Sequence, residues 1–309
     1  MPSLSGKTVL ILGSDGFVGR NLARYCDERG WRHHDVGRAA GDLARWENVE
    51  AAFRAAPPAD RIVHLVTRQR TGAVQYGIQG EMLQINSRIH LNVLEAWRLF
   101  QPQAKLITTG SSCAYPESDS LLAEEAYQTG PLHPSVLGYG LAKQVLAVGS
   151  AAHGRQYGLS WLHCIFATLY GPHDHKAPDR SHFVGGMLDR AVRERASGGA
   201  AFSVWGSPGV VREVLHVDDQ IEAMLAADAA FSDTLLNCAA NAPVTVDGVA
   251  RAVLAALDWP AEPAYDPATF QGSRFKLLDS GRFLKATGWA PRIGLEEGLR
   301  GILRSDYGL

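Results

Sequence analysis

Short apolar runs separated by glycine and polar residues recur through the first two-thirds of the chain. Thr8–Leu12 (TVLIL) is almost continuously apolar, the pattern of a strand buried on both faces of a parallel sheet. Arg20–Cys26 then reads as helix, Arg32–Arg38 covers a second strand and its end, and a helical stretch runs on through Phe53. Arg61–Thr67 predicts a strand, Leu91–Phe100 a helix and Ala104–Thr109 a further strand. A long helix starts near Tyr139, and Leu159–Phe166 gives another strand. Strands alternating with helices mean βαβ units, hence an α/β chain with a doubly wound parallel sheet and helices on both faces. Beyond Gly171-Pro172 the alternation loosens as Pro, Gly and aromatic residues accumulate, although Leu235–Cys238 reads as one more strand rejoining the sheet. Two units are expected. Residues 1–170, with a returning strand near 213–240, carry the sheet; residues 171–309 form mainly a smaller lobe, with ligands in the cleft between.

Composition narrows the class. A length of 309 residues can bury a sizeable core without disulfides. Hydrophobic residues make up 46% and charged residues 20%, which excludes disorder as the main state. The 30 Lys+Arg against 32 Asp+Glu leave a net charge of -2, no electrostatic footprint for nucleic acid or anionic membrane. Cys26, Cys113, Cys164 and Cys238 show no CxxC pairing, which argues against a disulfide scaffold or zinc ribbon. No run of about 18 apolar residues occurs, and the start of the chain lacks a cleavable signal pattern. A soluble, cytoplasmic enzyme is expected, with no nucleic-acid or membrane partner.

The first strand runs straight into Gly13-Ser14-Asp15-Gly16-Phe17-Val18-Gly19 and then into helix, the strand–loop–helix setting in which GxxGxxG binds a dinucleotide. Gly13 permits the tight turn, Gly16 lets backbone N–H groups approach a pyrophosphate, and Gly19 lets the helix pack closely on the strand. Asp15, Phe17 and Val18 complete the cofactor-facing loop, and Leu65, Val66 and Thr67 are expected beside the cofactor too. A carboxylate about 20 residues on would hold the adenosine ribose. That position falls on Gly37, and Arg38 follows it, so NADP(H) is favoured over NAD(H); Asp35 keeps NAD open if the strand ends earlier. Asp42 offers a carboxylate to the adenine amino group with Leu43 against the ring, or else Asp42 is a helix N-cap. The sheet domain is therefore expected to be a Rossmann domain.

Tyr139 and Lys143 stand at i and i+4, on one face of a helix, where an ammonium favours the phenolate of a group whose free pKa is near 10. Ser111 follows the strand ending at Thr109, at the sheet edge where a hydroxyl can polarise a carbonyl. Glycine loop, serine and YxxxK together resemble the extended short-chain dehydrogenase/reductase (NAD-dependent epimerase/dehydratase) superfamily. Gly110–Pro116, Leu169–Asp174, Ser181-His182, Val204–Gly206, Arg212–Asp219, Lys276–Asp279 and Gly288-Trp289 resemble, in order, the GDP-L-fucose synthase family within it.

The resemblance implies a nucleotide-diphosphate sugar substrate, a 4-keto-6-deoxy sugar epimerised at C3 and C5 and then reduced at C4 by NADPH, and a homodimer. It implies Ser111, Tyr139 and Lys143 as the reductive triad, with Cys113 and His182 as the epimerisation acid/base pair. Such a pair is chemically sensible, because a C4 ketone acidifies protons on its neighbours. The bland readings are a space-filling cysteine and an idle loop histidine. Arg212 and Lys276 suit a diphosphate, by fork and by point charge, or are solvated surface charges. Trp205 lies against the base or packs the lobe. The spacing of His173-Asp174-His175 is a poor match to zinc sites, so no metal is expected. Leu65–Gly72, with Arg68 and Arg70, lacks the family's small-residue run, and Thr168, expected at the substrate, stands where the family has asparagine. These departures fall beside the sugar pocket and leave room for another nucleotide sugar. The alternatives are a single-function 4-ketoreductase, an NAD-retaining 4-epimerase or dehydratase, and a cofactor-binding regulator or scaffold without catalysis.

Overall fold

The computed structural model describes residues 4, 6–266 and 273–309. β1 (Thr8–Leu12) divides its side chains between two cores: Val9 and Ile11 pack into one hydrophobic cluster, Leu10 and Leu12 into another, all without exposed surface. That is why the run is apolar at every position rather than at alternate ones. α1 (Phe17–Asp27) covers one face, and β2 (Arg32–Val36) lies at the sheet edge. α2 (Trp46–Ala55) packs on the other face through Val49 and Phe53. β3 (Arg61–His64), the short α3 (Val74–Gly77), α4 (Gln79–Phe100), β4 (Lys105–Ser111), α5 (Leu137–Tyr157) and β5 (Trp161–Phe166) continue the alternation.

The remaining elements are β6 (Thr168–Tyr170), α6 (Phe183–Ala196), β7 (Ala201–Trp205), β8 (Val211–His216), α7 (Val217–Ala230), β9 (Thr234–Cys238), β10 (Pro243–Thr245), α8 (Val246–Ala256), β11 (Glu262–Asp266), α9 (Gly281–Thr287) and α10 (Leu295–Ile302). The main sheet is parallel, with order β2-β1-β3-β4-β5-β9. β9 is the returning strand read at 235–238. β8 pairs instead with β6 and β10, and β7 with β11. A third hydrophobic cluster, built on Val184, Leu188, Phe202 and Val249, sits under these smaller sheets.

Two elements differ from the sequence reading. The strand read through Thr67 stops at His64. β1 has by then turned away at Gly13, whose φ is +95°, and the last bond on that side runs from the Leu65 N–H to the Leu12 carbonyl at 2.9 Å. The helix read at 91–100 begins at Gln79, where its buried residues Met82 and Asn86 were hidden among polar neighbours. The chain order reverses between β1 and β3, and ligand crevices form outside the strand ends at such a switch point.

Candidate active site

A cavity of about 710 Å³ opens at the carboxyl ends of β1, β3, β4 and β5. It brings together Gly13, Gly16, Phe17, Val18 and Gly19 of the loop, Leu65 and Thr67 after β3, and Ser111, Cys113, Tyr139 and Lys143. Thr168, His182, Trp205, Arg212 and Lys276 line it from the other side. Asp15, Arg38, Val66, Asp42 and Leu43 stand outside this lining.

The loop is built for close approach. A Cβ on Gly19 would lie 2.1 Å from the Gly13 carbonyl oxygen, and one on Gly13 would lie 3.1 Å from the Val66 nitrogen. No side chain caps α1, so its first-turn N–H groups are left for an anion. These features fit a dinucleotide pyrophosphate. Beyond it, Asp42 Oδ1 accepts from the Ala44 N–H at 3.0 Å, closing a turn, whereas α2 starts after Arg45. Asp42 is therefore not the N-cap of that helix. Leu43 is only 6% exposed and packs with Val49 and Phe53, so its side chain belongs to the core.

Ser111 ends β4, and its Oγ accepts from the Cys113 N–H at 3.2 Å. Tyr139 lies in the first turn of α5. Burial and the neighbouring Cys113 charge push its phenol up, and the Ser111 hydroxyl only partly offsets them. Lys143, 3% exposed, donates from Nζ to the Thr109 carbonyl at 2.8 Å and stands 5.8 Å from the Tyr139 ring centre. Burial lowers its pKa to about 7. The i, i+4 spacing led us to expect an ammonium favouring the phenolate. Instead Lys143 is tethered to a backbone carbonyl with its pKa lowered by burial, and the Tyr139 phenol is kept protonated. Behind them His64 and His163 are driven down to about 3 by burial, with Lys143 adding to the effect, so both rings are neutral.

Cys113 Sγ accepts from Lys276 Nζ at 3.0 Å. Burial opposes its ionisation, but Lys276, with smaller help from Ser111 and Arg212, outweighs burial and lowers the thiol pKa. Lys276 thus stands on the thiol rather than in solvent. His182 sits at the start of α6 with Nδ1 2.7 Å from Asp174 Oδ1 and its ring 5.3 Å from that of Phe17. The carboxylate fixes the imidazole orientation and leaves Nε2 as its free nitrogen among the described residues.

Two contacts lie beyond the sequence reading. Asp174 reads there only as part of the Leu169–Asp174 motif, whereas its side chain orients His182. The Arg190 guanidinium lies 3.9 Å from the centre of the Trp205 ring, and its buried Nε has no hydrogen-bond partner among the described residues. Nothing in the local pattern marks Arg190 out from other helix-surface arginines.

A glycine-rich loop at the switch point, with serine, tyrosine and lysine converging on the same crevice, defines the class of dinucleotide-dependent Rossmann enzymes. The chain belongs to the NAD dependent epimerase/dehydratase family, whose family model matches residues 9–238. It is 30% identical over 298 residues to a probable GDP-L-fucose synthase of Oryza sativa subsp. japonica, covering 95% of this chain and 90% of the relative. It is 32% identical over 300 residues to a putative GDP-L-fucose synthase of the same organism, covering 96% and 86%. Among solved structures, a GDP-6-OMe-4-keto-L-xylo-heptose reductase from C. jejuni superposes with a TM-score of 0.87 at 19% identity, over 98% of each chain, which speaks for the fold.

Proposed function

We propose that this chain is an NADPH-dependent epimerase/reductase of a 4-keto-6-deoxy nucleotide sugar, exchanging configuration at C3 and C5 before reducing C4. The observation that carries this reading is the presence, in one cavity, of a cysteine with a lowered pKa, a carboxylate-oriented histidine and a neutral tyrosine. The Cys113 thiolate removes a proton beside the C4 ketone, and His182 returns one from the other side. Ser111 and Tyr139 donate hydrogen bonds to the C4 oxygen while it carries enolate charge. The glycine loop and Lys143 hold the cofactor, whose nicotinamide supplies the hydride for C4 when bound. Tyr139 gives its proton to the C4 oxygen in that last step. Trp205 and Arg212, which line the cavity, surround the nucleotide diphosphate, and Thr168 contacts the sugar. The exposed Arg38 guanidinium favours the 2′-phosphate of NADPH.

The domain division read from the sequence suits this assignment, with 1–170 and the returning β9 holding the cofactor and 171–309 mainly the sugar nucleotide. The decisive assay supplies GDP-, UDP- and dTDP-linked 4-keto-6-deoxy sugars with reduced cofactor. One NAD(P)H oxidised per sugar reduced is expected. Turnover on tightly held NAD without net oxidation would replace this reading with a 4-epimerase.

We infer a cytoplasmic homodimer as well. No described helix is long and apolar enough to cross a membrane. The four cysteines are unpaired, as suits a reducing compartment. The adjacent α4 and α5 expose Leu91 and Leu99, and Val148 and Tyr157, a surface that a second copy would cover. Sedimentation velocity should give a dimer at micromolar concentration; a monomer there would overturn it.

A further inference from the structure

We propose that Asp15, in the glycine-rich loop, receives the adenosine ribose and keeps NADH usable beside NADPH, in opposition to Arg38. The proposal rests on the cofactor reading above and concerns how the adenosine end is told apart. In sheets of this type the ribose lies at the tip of the second strand, where a carboxylate accepts from its 2′-hydroxyl. β2 ends in Asp35-Val36 followed by Gly37 and Arg38. Asp35 is partly committed elsewhere. Its Oδ1 lies 3.1 Å from Nδ1 of His33, whose Nε2 is 2.9 Å from Asp27, so these three groups form their own ionic cluster.

The carboxylate at the tip comes instead from the loop. Asp15 Oδ2 accepts from the Arg38 N–H at 2.5 Å. It does so through space that only a glycine leaves free, since a Cβ on Gly37 would lie 2.2 Å from that oxygen. The missing side chain at the count-of-20 position is therefore the room into which Asp15 reaches. Among the described residues Oδ1 accepts no hydrogen bond, and an ionised carboxylate is an acceptor only. A ribose diol satisfies that oxygen with a charge-assisted bond. A 2′-phosphate offers no donor there and sets like charge against the carboxylate. The Arg38 side chain is exposed and unpaired among the described residues, so it supplies the opposite preference from the same strand tip. Carboxylate and guanidinium thus face one ribose, and the chain accepts both dinucleotides.

The test titrates NADH and NADPH separately into the full-length protein by nicotinamide fluorescence, without sugar substrate. The wild-type protein should bind both, with affinities within about tenfold of one another. Asp15→Asn keeps the shape and the acceptor for the Arg38 N–H but removes the charge. It should raise the NADPH:NADH affinity ratio by about tenfold, the scale of one charge-assisted hydrogen bond. Asp15→Ser should shift the ratio the same way, and Arg38→Ala should lower it. Thermal melting of each variant separates a local change from a lost fold. Both dinucleotides bound with the same ratio in wild type and the folded Asp15 variants would overturn the role of Asp15. Binding of neither dinucleotide by the folded wild-type protein would overturn the cofactor reading itself.

Discussion

Replacing Tyr139 with phenylalanine should cut C4 reduction by about 10³-fold while leaving dinucleotide affinity within about twofold. The first figure is the scale of one positioned general acid and corresponds to roughly 4 kcal/mol of transition-state stabilisation. The phenol is suited to the task because burial and the adjacent Cys113 charge keep it protonated across the neutral range. Phenylalanine preserves the ring and loses only the proton that reaches the C4 oxygen. Lys143 keeps its bond to the Thr109 carbonyl in the variant, because that contact does not involve the phenol. Steady-state oxidation of the cofactor and a separate dinucleotide titration read the two effects. A variant retaining more than a tenth of wild-type turnover would mean that another acid serves C4.

Cys113→Ser should suppress proton exchange at C3 and C5 by about 10²-fold or more. In heavy water, wild-type enzyme with a 4-keto sugar nucleotide and no reduced cofactor should place deuterium at those carbons, and the variant should not. Reduction of C4 in substrate already epimerised should persist, since hydride acceptance depends on Ser111 and Tyr139. The pH dependence follows from Lys276. A thiol whose pKa is lowered becomes thiolate at lower pH than a free cysteine, so exchange should rise with pH and level off below the ordinary thiol range. Lys276→Met removes the main stabilising charge and should move that rise to higher pH. Wild-type enzyme that reduces a GDP-, UDP- or dTDP-linked substrate yet exchanges no deuterium would be a plain ketoreductase. Cys113 would then be packing, and His182 at most a substrate contact.

Much of the fold was legible because its signals are local. TVLIL followed within a few residues by three spaced glycines constrains strand, turn and helix without reference to anything distant. The same holds for YxxxK, whose spacing alone puts Tyr139 and Lys143 on one helical face. Where Lys143 points was not local. Its ammonium is held by Thr109, 34 residues away, and burial decides its charge. His182 and Asp174 were both visible as motif residues, but the contact by which Asp174 orients His182 was not, because side-chain direction in a loop has no periodicity.

By itself the sequence determined the alternation of strands and helices, the position of the glycine loop at the end of β1, and the residue types available for acid–base and hydride chemistry. Each depends on backbone preferences and burial patterns expressed within one element and its neighbours. Tertiary structure alone decided which of those residues meet. Strand order carried Asp15 to the tip of β2 beside Gly37, and the return of the chain from the smaller sheets set Lys276 on Cys113 across 163 residues. Such contacts fix the charge on the thiol and the shape of the ribose site. Both quantities depend on distances of a few ångströms between segments whose separation along the chain carries no information about their separation in space.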